Sequence, residues 1–290
     1  MSSDSSSGHV SVPMPDGGAE GVAAYEQSWT VAAARGFFAD PGSGSRLNVV
    51  SDHHKADVRY REISFDIRPG VSGVATVVDA GRTAGPGVVL AHGGSDDGRR
   101  FLLTEAEQLA RRGATVILPV TRFPWYADVD HIASAIRDAV LTERRAVGVL
   151  LDWAGSRPDN ICFLGHSAGA FLAAHLCAVE PRLAKVVPFG YGAGTFLRLA
   201  LREIQNDGDL VTNRILSALR WFEPGQFVAA PGDRRLFIQH GINDQEVPIA
   251  EGRALFDVAA APKQWSEYPC GHDIDANIEA RADRADFVFA

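Results

Sequence analysis

Three short stretches of this chain hold side chains that can work together on an acyl group. Ser167 sits in Gly165-His166-Ser167-Ala168-Gly169, Asp244 in His240-Gly241-Ile242-Asn243-Asp244, and His272 in Pro269-Cys270-Gly271-His272. A serine hydroxyl is a poor nucleophile at neutral pH. It needs a base to take its proton, and the base needs an acid to orient it. The order serine, aspartate, histidine makes His272 the candidate base and Asp244 the candidate acid, with Glu246 the next choice of acid and Asp273 a more distant one. The other histidines fit the base role less well. His9, His53 and His54 precede the core, His166 and His175 flank the serine turn, and His131 falls in a helix. His92 and His240 end strands but come before the acid in the chain.

The surroundings of Ser167 strengthen its candidacy. The run Asn160 to Leu164 is apolar and short enough for a buried strand, and Ala170 to Val179 is rich in alanine and leucine, as in a helix. Strand, sharp turn and helix form the context in which G-x-S-x-G becomes a nucleophile elbow. Gly165 and Gly169 have no Cβ, so the two arms of the turn can close on each other. The amide of Ala168, at the start of the helix, would face a developing oxyanion, helped by the helix dipole. A second donor is expected after the strand that ends in His92-Gly93-Gly94-Ser95. The amide of Gly94 is favoured there and that of Ser95 comes next, because bare glycine backbone can approach a substrate closely.

These groups must be positioned by a scaffold, and the periodicity predicts one. Val58–Ile67 and Val71–Val78 read as an antiparallel hairpin at a sheet edge. Strands are expected at Val88–Ala91, Thr115–Val120, the elbow strand, Ala184–Phe189, Arg235–Gln239 and Gln264–Tyr268, the first four of them apolar or buried. Helices are expected at Phe101–Arg112, Val129–Ala154, Ala170–Val179, Ile249–Ala259 and Asp273–Phe289, with more helical material over Thr195–Phe222. Alternating strands and helices imply an α/β fold with a mostly parallel twisted sheet and helices on both faces. In such sheets the chemistry gathers at the carboxyl ends of the strands, where each cluster named above falls.

The chain has 290 residues, 46% of them hydrophobic, and a formal charge of −8. That is enough for one large domain with a sizeable core. Acidity without a basic block argues against a nucleic-acid partner. The spacing of Cys162, Cys177 and Cys270 fits neither a disulfide framework nor a metal site, and no cofactor motif is present. The polar start and the lack of a long apolar run predict a cytoplasmic protein that does not insert in a membrane. Residues 1–18 read as a disordered tail, 19–57 as a helical extension with a helix over Glu20–Phe38, and 58–290 as the main domain. A helical lid is expected at about 195–230. Trp125 and Tyr126 after one strand, and Tyr191 after another, are candidate substrate-pocket residues.

Taken together, His92-Gly-Gly-Ser, Gly165-His-Ser-Ala-Gly, His240-Gly-Ile-Asn-Asp and Gly271-His272 resemble the α/β-hydrolase superfamily, within it the dienelactone-hydrolase-like and small-esterase branch. The resemblance spans residues 58–290. It implies a cofactor-free Ser-His-Asp hydrolase acting on a small carboxylic ester, lactone or thioester. Two departures stand out: dienelactone hydrolases carry cysteine where this chain has Ser167, and residues 1–57 match no part of the family. Acyl transfer or cyclisation on the same triad is the alternative chemistry, and a non-catalytic binding protein a third possibility. A homodimer stays open.

Overall fold

The computed structural model describes residues 29–39, 46–81, 85–94, 97–121, 132–156, 158–204 and 219–290. The strands are β1 (Leu47–Lys55), β2 (Val58–Arg68), β3 (Val71–Asp79), β4 (Gly87–Ala91), β5 (Thr115–Pro119), β6 (Ile161–His166), β7 (Lys185–Phe189), β8 (Arg235–Gly241) and β9 (Lys263–Tyr268). Among the described residues they form one sheet in the order β1-β2-β3-β5-β4-β6-β7-β8-β9. Pairing is antiparallel from β1 to β3 and between β3 and β5, and parallel from β5 through β4 to β9.

The central strands are apolar throughout because both of their faces are covered. In β4, Val88 and Leu90 belong to one core cluster and Val89 and Ala91 to the other; in β6, Cys162 and Leu164 separate from Ile161 and Phe163 in the same way. Each side chain thus points to a face set by its parity. Helices α1 (Val31–Phe37), α3 (Ile132–Asp152) and α4 (Ala168–Val179) contribute to the larger cluster, while α2 (Arg99–Arg112) and α8 (Ile278–Phe289) contribute to the other. Helices α5 (Thr195–Ile204) and α6 (Pro224–Val228) lie between β7 and β8, and α7 (Ile249–Val258) between β8 and β9. All three cysteines are free, Cys162 and Cys177 buried.

Two expectations change. The hairpin of β2 and β3 is real, but it is not the sheet edge: β1 pairs along β2 from Leu47↔Phe65 to Lys55↔Val58. Residues 47–55, expected as part of a helical extension, are therefore strand, and the sheet begins before residue 58. The pattern hid this strand because nearly all of it is exposed and a register shift between Val49 and Ser51 breaks its alternation. The helix expected over Glu20–Phe38 is described only from its capped start at Thr30, whose Oγ1 accepts from the Ala33 amide at 3.0 Å. Its C-terminal Phe37 and Phe38 pack edge-on against Trp221 at 5.5 Å and His175 of α4 at 5.9 Å, so this segment braces the helix behind the elbow. Part of the expected lid, 205–218, lies outside the described residues.

The far side of the sheet is braced by a buried charge. Arg284 on α8 has no exposed surface. Its Nε and Nη2 donate to Glu105 of α2 at 2.7 and 2.8 Å, and Nη1 donates to Gln239 of β8 at 2.8 Å. Gln239 in turn donates to Tyr268 Oη at 2.7 Å, at the end of β9. This network fixes the C-terminal helix beneath the loop that carries His272. Removing one partner leaves an uncompensated buried charge, so Glu105→Ala is expected to cost about 3–5 kcal/mol in urea unfolding. A loss under 1 kcal/mol would contradict the account.

Candidate active site

Ser167 joins β6 to α4 with φ 53° and ψ −114°, a conformation that non-glycine residues rarely adopt. Close packing holds it there. A Cβ on Gly165 would lie 2.2 Å from the carbonyl oxygen of Gly169, and one on Gly169 would lie 2.5 Å from that of Ala91 in β4. Neither clash can be relieved by moving a side chain. The Ser167 amide donates to the Phe189 carbonyl of β7 at 2.9 Å. The turn is thereby tied to strands on both sides of β6.

The three candidate residues meet. His272 Nε2 is 2.9 Å from Ser167 Oγ, and His272 Nδ1 is 2.8 Å from Asp244 Oδ2. A carboxylate only accepts, so Nδ1 carries the proton and Nε2 is free to accept from the serine hydroxyl. Asp244 is buried, and its Oδ1 accepts the amides of Glu246 at 2.9 Å and Val247 at 2.8 Å. The loops bearing Asp244 and His272 are stitched together: the Ile242 amide donates to Tyr268 O at 2.8 Å and the Asn243 amide to Cys270 O at 3.0 Å. Gly241 is bare because a Cβ would strike the Gly271 carbonyl oxygen at 2.2 Å.

Burial pushes the Asp244 carboxyl up, but the hydrogen bond from His272 and the two amides overcome it, and its pKa ends below the ordinary value. Burial likewise pulls His272 down, and the Asp244 hydrogen bond and charge, with smaller help from Glu246 and Asp275, carry it above the ordinary 6.5. Of the two alternative acids, Glu246 lies by the wrong nitrogen, with Oε2 3.7 Å from Nε2. Asp273 makes no ion pair with His272 among the described residues.

Two histidines set aside as bases support the site instead. His166, inside the elbow motif, donates from Nε2 to the His272 carbonyl at 2.9 Å, and its ring stacks on Phe189 at 5.3 Å. Burial holds it well below the ordinary histidine value. Gly190 leaves room for this ring, since a Cβ there would approach it to 3.3 Å. His240 is buried, donates from Nε2 to the Val247 carbonyl at 2.8 Å, and thereby shapes the loop that carries Asp244. Neither role had a signal in the sequence beyond proximity to the motifs.

The two expected oxyanion donors occupy different kinds of position. Ala168 is the first residue of α4, so its amide has no partner within the helix. On the other side, a Cβ on Gly93 would come within 3.4 Å of Ser167 Cβ. His92 Nε2 accepts from the Thr121 amide at 3.3 Å, which leaves Nδ1 to donate to the Gly93 carbonyl at 2.6 Å. In a trans peptide the carbonyl and the following N–H point opposite ways. The His92 ring therefore turns the Gly94 amide away from itself. Ser95 and the candidate pocket residues Trp125 and Tyr126 lie outside the described residues. Tyr191 is 2% exposed, with its ring edge-on to Phe171 at 6.0 Å; it is a core residue in contact with the elbow helix. Among the described residues no cluster of His, Cys, Asp or Glu could hold a metal ion, and no helix is long and apolar enough to cross a membrane.

No protein-family profile and no curated protein matches the sequence. Solved structures do match the fold. An acetyl xylan esterase from Paenibacillus sp. R4 is similar over 89% of this chain and 92% of its own, with a TM-score of 0.73 and 15% identity. Acetyl xylan esterase 1 from Thermoanaerobacterium sp. JW/SL YS485 is similar over 93% and 94%, with a TM-score of 0.69 and 16% identity. A 2,6-dihydroxy-pseudo-oxynicotine hydrolase is similar over 79% of this chain and 66% of its own, with a TM-score of 0.60 and 19% identity.

The elbow's packing can be tested directly. Gly169→Ala forces a methyl against the Ala91 carbonyl and is expected to cost about 1–3 kcal/mol, read as a lower urea midpoint. Labelling of Ser167 by a fluorophosphonate should slow alongside it. An unchanged midpoint together with unchanged labelling contradicts the close approach.

Proposed function

On this α/β-hydrolase fold, we propose a serine hydrolase that cleaves a small carboxylic ester, lactone or thioester through an acyl-enzyme. The observation that carries the proposal is the continuous hydrogen-bonded line from Asp244 through His272 to a serine held at positive φ. The names of the structural neighbours, two acetyl xylan esterases among them, support an ester as the bond cleaved.

The chemistry follows from the positions of the protons. His272 Nε2 takes the hydroxyl proton as Ser167 Oγ attacks the carbonyl carbon. The amides of Ala168 and Gly94 receive the charge that forms on the carbonyl oxygen. Asp244 holds the imidazolium, which then gives its proton to the leaving oxygen or sulfur. Water then attacks the acyl carbon, losing a proton to the same nitrogen; the bond to Ser167 Oγ breaks as that proton passes to Oγ, and the acid is released. Strain at Ser167 serves this sequence because the hydroxyl needs no reorganisation before attack.

A p-nitrophenyl acetate assay tests the proposal. Ser167→Ala should abolish turnover above the background of the fold, and equal rates in wild type and variant would sink it. The free acid should be the product; transfer to another nucleophile would shift the reading to acyl transfer. The pH profile adds a further check. His272 is a base only when neutral, and Asp244 raises its pKa above 6.5, so kcat/KM should fall as pH drops through a value above 6.5. Asp244→Asn removes the partner that raises this pKa. The acid limb should then move to lower pH, with kcat reduced by about 10⁴-fold.

A further inference from the structure

One carboxylate at this site has no part in the triad. Glu246 lies two residues beyond Asp244. Its amide donates to Asp244 Oδ1 at 2.9 Å, and its carbonyl accepts from Arg198 Nη2 at 3.0 Å, so its backbone is held from both sides. The side chain is 73% exposed and brings Oε2 to 3.7 Å from His272 Nε2, the nitrogen that faces Ser167. Asp244 is on the opposite edge of the ring, at Nδ1.

No lysine or arginine pairs with Glu246 among the described residues; its ion contact is with His272, charged only while that ring holds a second proton. Arg198, which holds the Glu246 carbonyl, has its own charge paired with Glu251, from Nε to Oε1 at 2.6 Å and from Nη2 to Oε2 at 3.1 Å. A second acid adds to the negative field. Asp275 Oδ1 is 3.8 Å from His166 Nε2.

The place of Glu246 assigns it to one side of the reaction. Nε2 hands its proton to the departing alcohol, and the alcohol must therefore pass within contact of that nitrogen. A carboxylate 3.7 Å from Nε2 borders the alcohol's path. Resting on the hydrolase reading above, we propose that Glu246 forms a leaving-group subsite. It favours esters whose alcohol carries a positive charge, such as amino alcohols and quaternary ammonium alcohols, and disfavours alcohols that carry an anion. Two unit charges about 4 Å apart attract enough even in bulk water to change a rate roughly fivefold. Because Glu246 is exposed, salt must weaken the preference.

The test compares kcat/KM for acetylcholine and for its uncharged isostere 3,3-dimethylbutyl acetate at low ionic strength. The wild type should favour the cation by about fivefold or more. The ratio should fall toward one in roughly 1 M salt, where the Debye length is about 3 Å. Glu246→Gln should bring it near one and Glu246→Lys below one. Each ratio is taken within one variant, so a general loss of activity cancels. An acetylcholine rate no greater than that of the isostere, including turnover of neither, overturns the subsite. So does a ratio that Glu246→Gln leaves unchanged. Glycerol monoacetate is the third arm: if it outpaces acetylcholine and loses that lead in Glu246→Gln, the carboxylate recognises hydroxyl groups and the cation proposal fails. Turnover of p-nitrophenyl acetate, dependent on Ser167, is read separately. If that is absent the hydrolase reading fails; if it is present with a flat ratio, only the subsite fails.

Discussion

The geometry at Ser167 depends on what is missing from Gly165 and Gly169. A β-carbon at either position would fall inside van der Waals contact with main-chain carbonyls, at 2.2 Å and 2.5 Å. Because backbone cannot step aside as a side chain can, these two contacts permit hydrogen alone. They bring the start of α4 against the end of β4. That approach places the elbow serine beside the Gly93 loop, with the first free amide of the helix on its other flank. The strained φ of Ser167 is a consequence of this packing, and the strands on both sides hold it in place.

The electrostatics of the site rest on a contrast among histidines. His92, His166 and His240 all lie near Ser167 or Asp244, and burial lowers the pKa of each. They stay neutral, and a neutral imidazole can hold a fixed tautomer. Each donates one hydrogen bond to a backbone carbonyl, at Gly93, His272 and Val247 respectively. These carbonyls belong to the three loops that bear Gly94, His272 and Asp244, the proposed oxyanion donor, base and acid. His272 alone of the four is raised, because Asp244 more than repays its loss of water. One side-chain type therefore does two jobs, and the presence or absence of a bonded carboxylate decides which.

The scaffold beneath the site is braced by a different kind of group. Arg284 spans α2, α8 and β8 through Glu105 and Gln239, and its guanidinium lies 4.1 Å over the ring of Phe189. Phe189 carries His166 on its other contact, at 5.3 Å. A buried ion pair contributes little net stability; what the structure shows is that its hydrogen bonds join α2, α8 and β8 in one network. The C-terminal helix and the His272 loop that precedes it are thereby placed relative to the elbow.

Much of this was legible in the chain itself. Apolar runs that end in Gly-His-Ser-Ala-Gly and His-Gly-Ile-Asn-Asp marked the carboxyl ends of parallel strands, because strands covered on both faces leave no other place for polar groups; the Gly-His pair follows β9, a half-exposed edge strand with no such apolar run. The order serine, aspartate, histidine and the bare glycines of the elbow could likewise be read from residue type and spacing. Strand β1 could not, since an exposed edge has no apolar face to print a period. Nor could the sequence show that Glu246 would face Nε2 while Asp244 faced Nδ1, two residues apart on one loop, or that three histidines would serve as backbone props. Those outcomes depend on how separate segments meet in space, 28 residues apart for Asp244 and His272 and 105 apart for Ser167 and His272. Local chemistry determines which groups are able to react. Only the assembly of the sheet and its helices, with main chain packed against bare glycines, decides which of them meet.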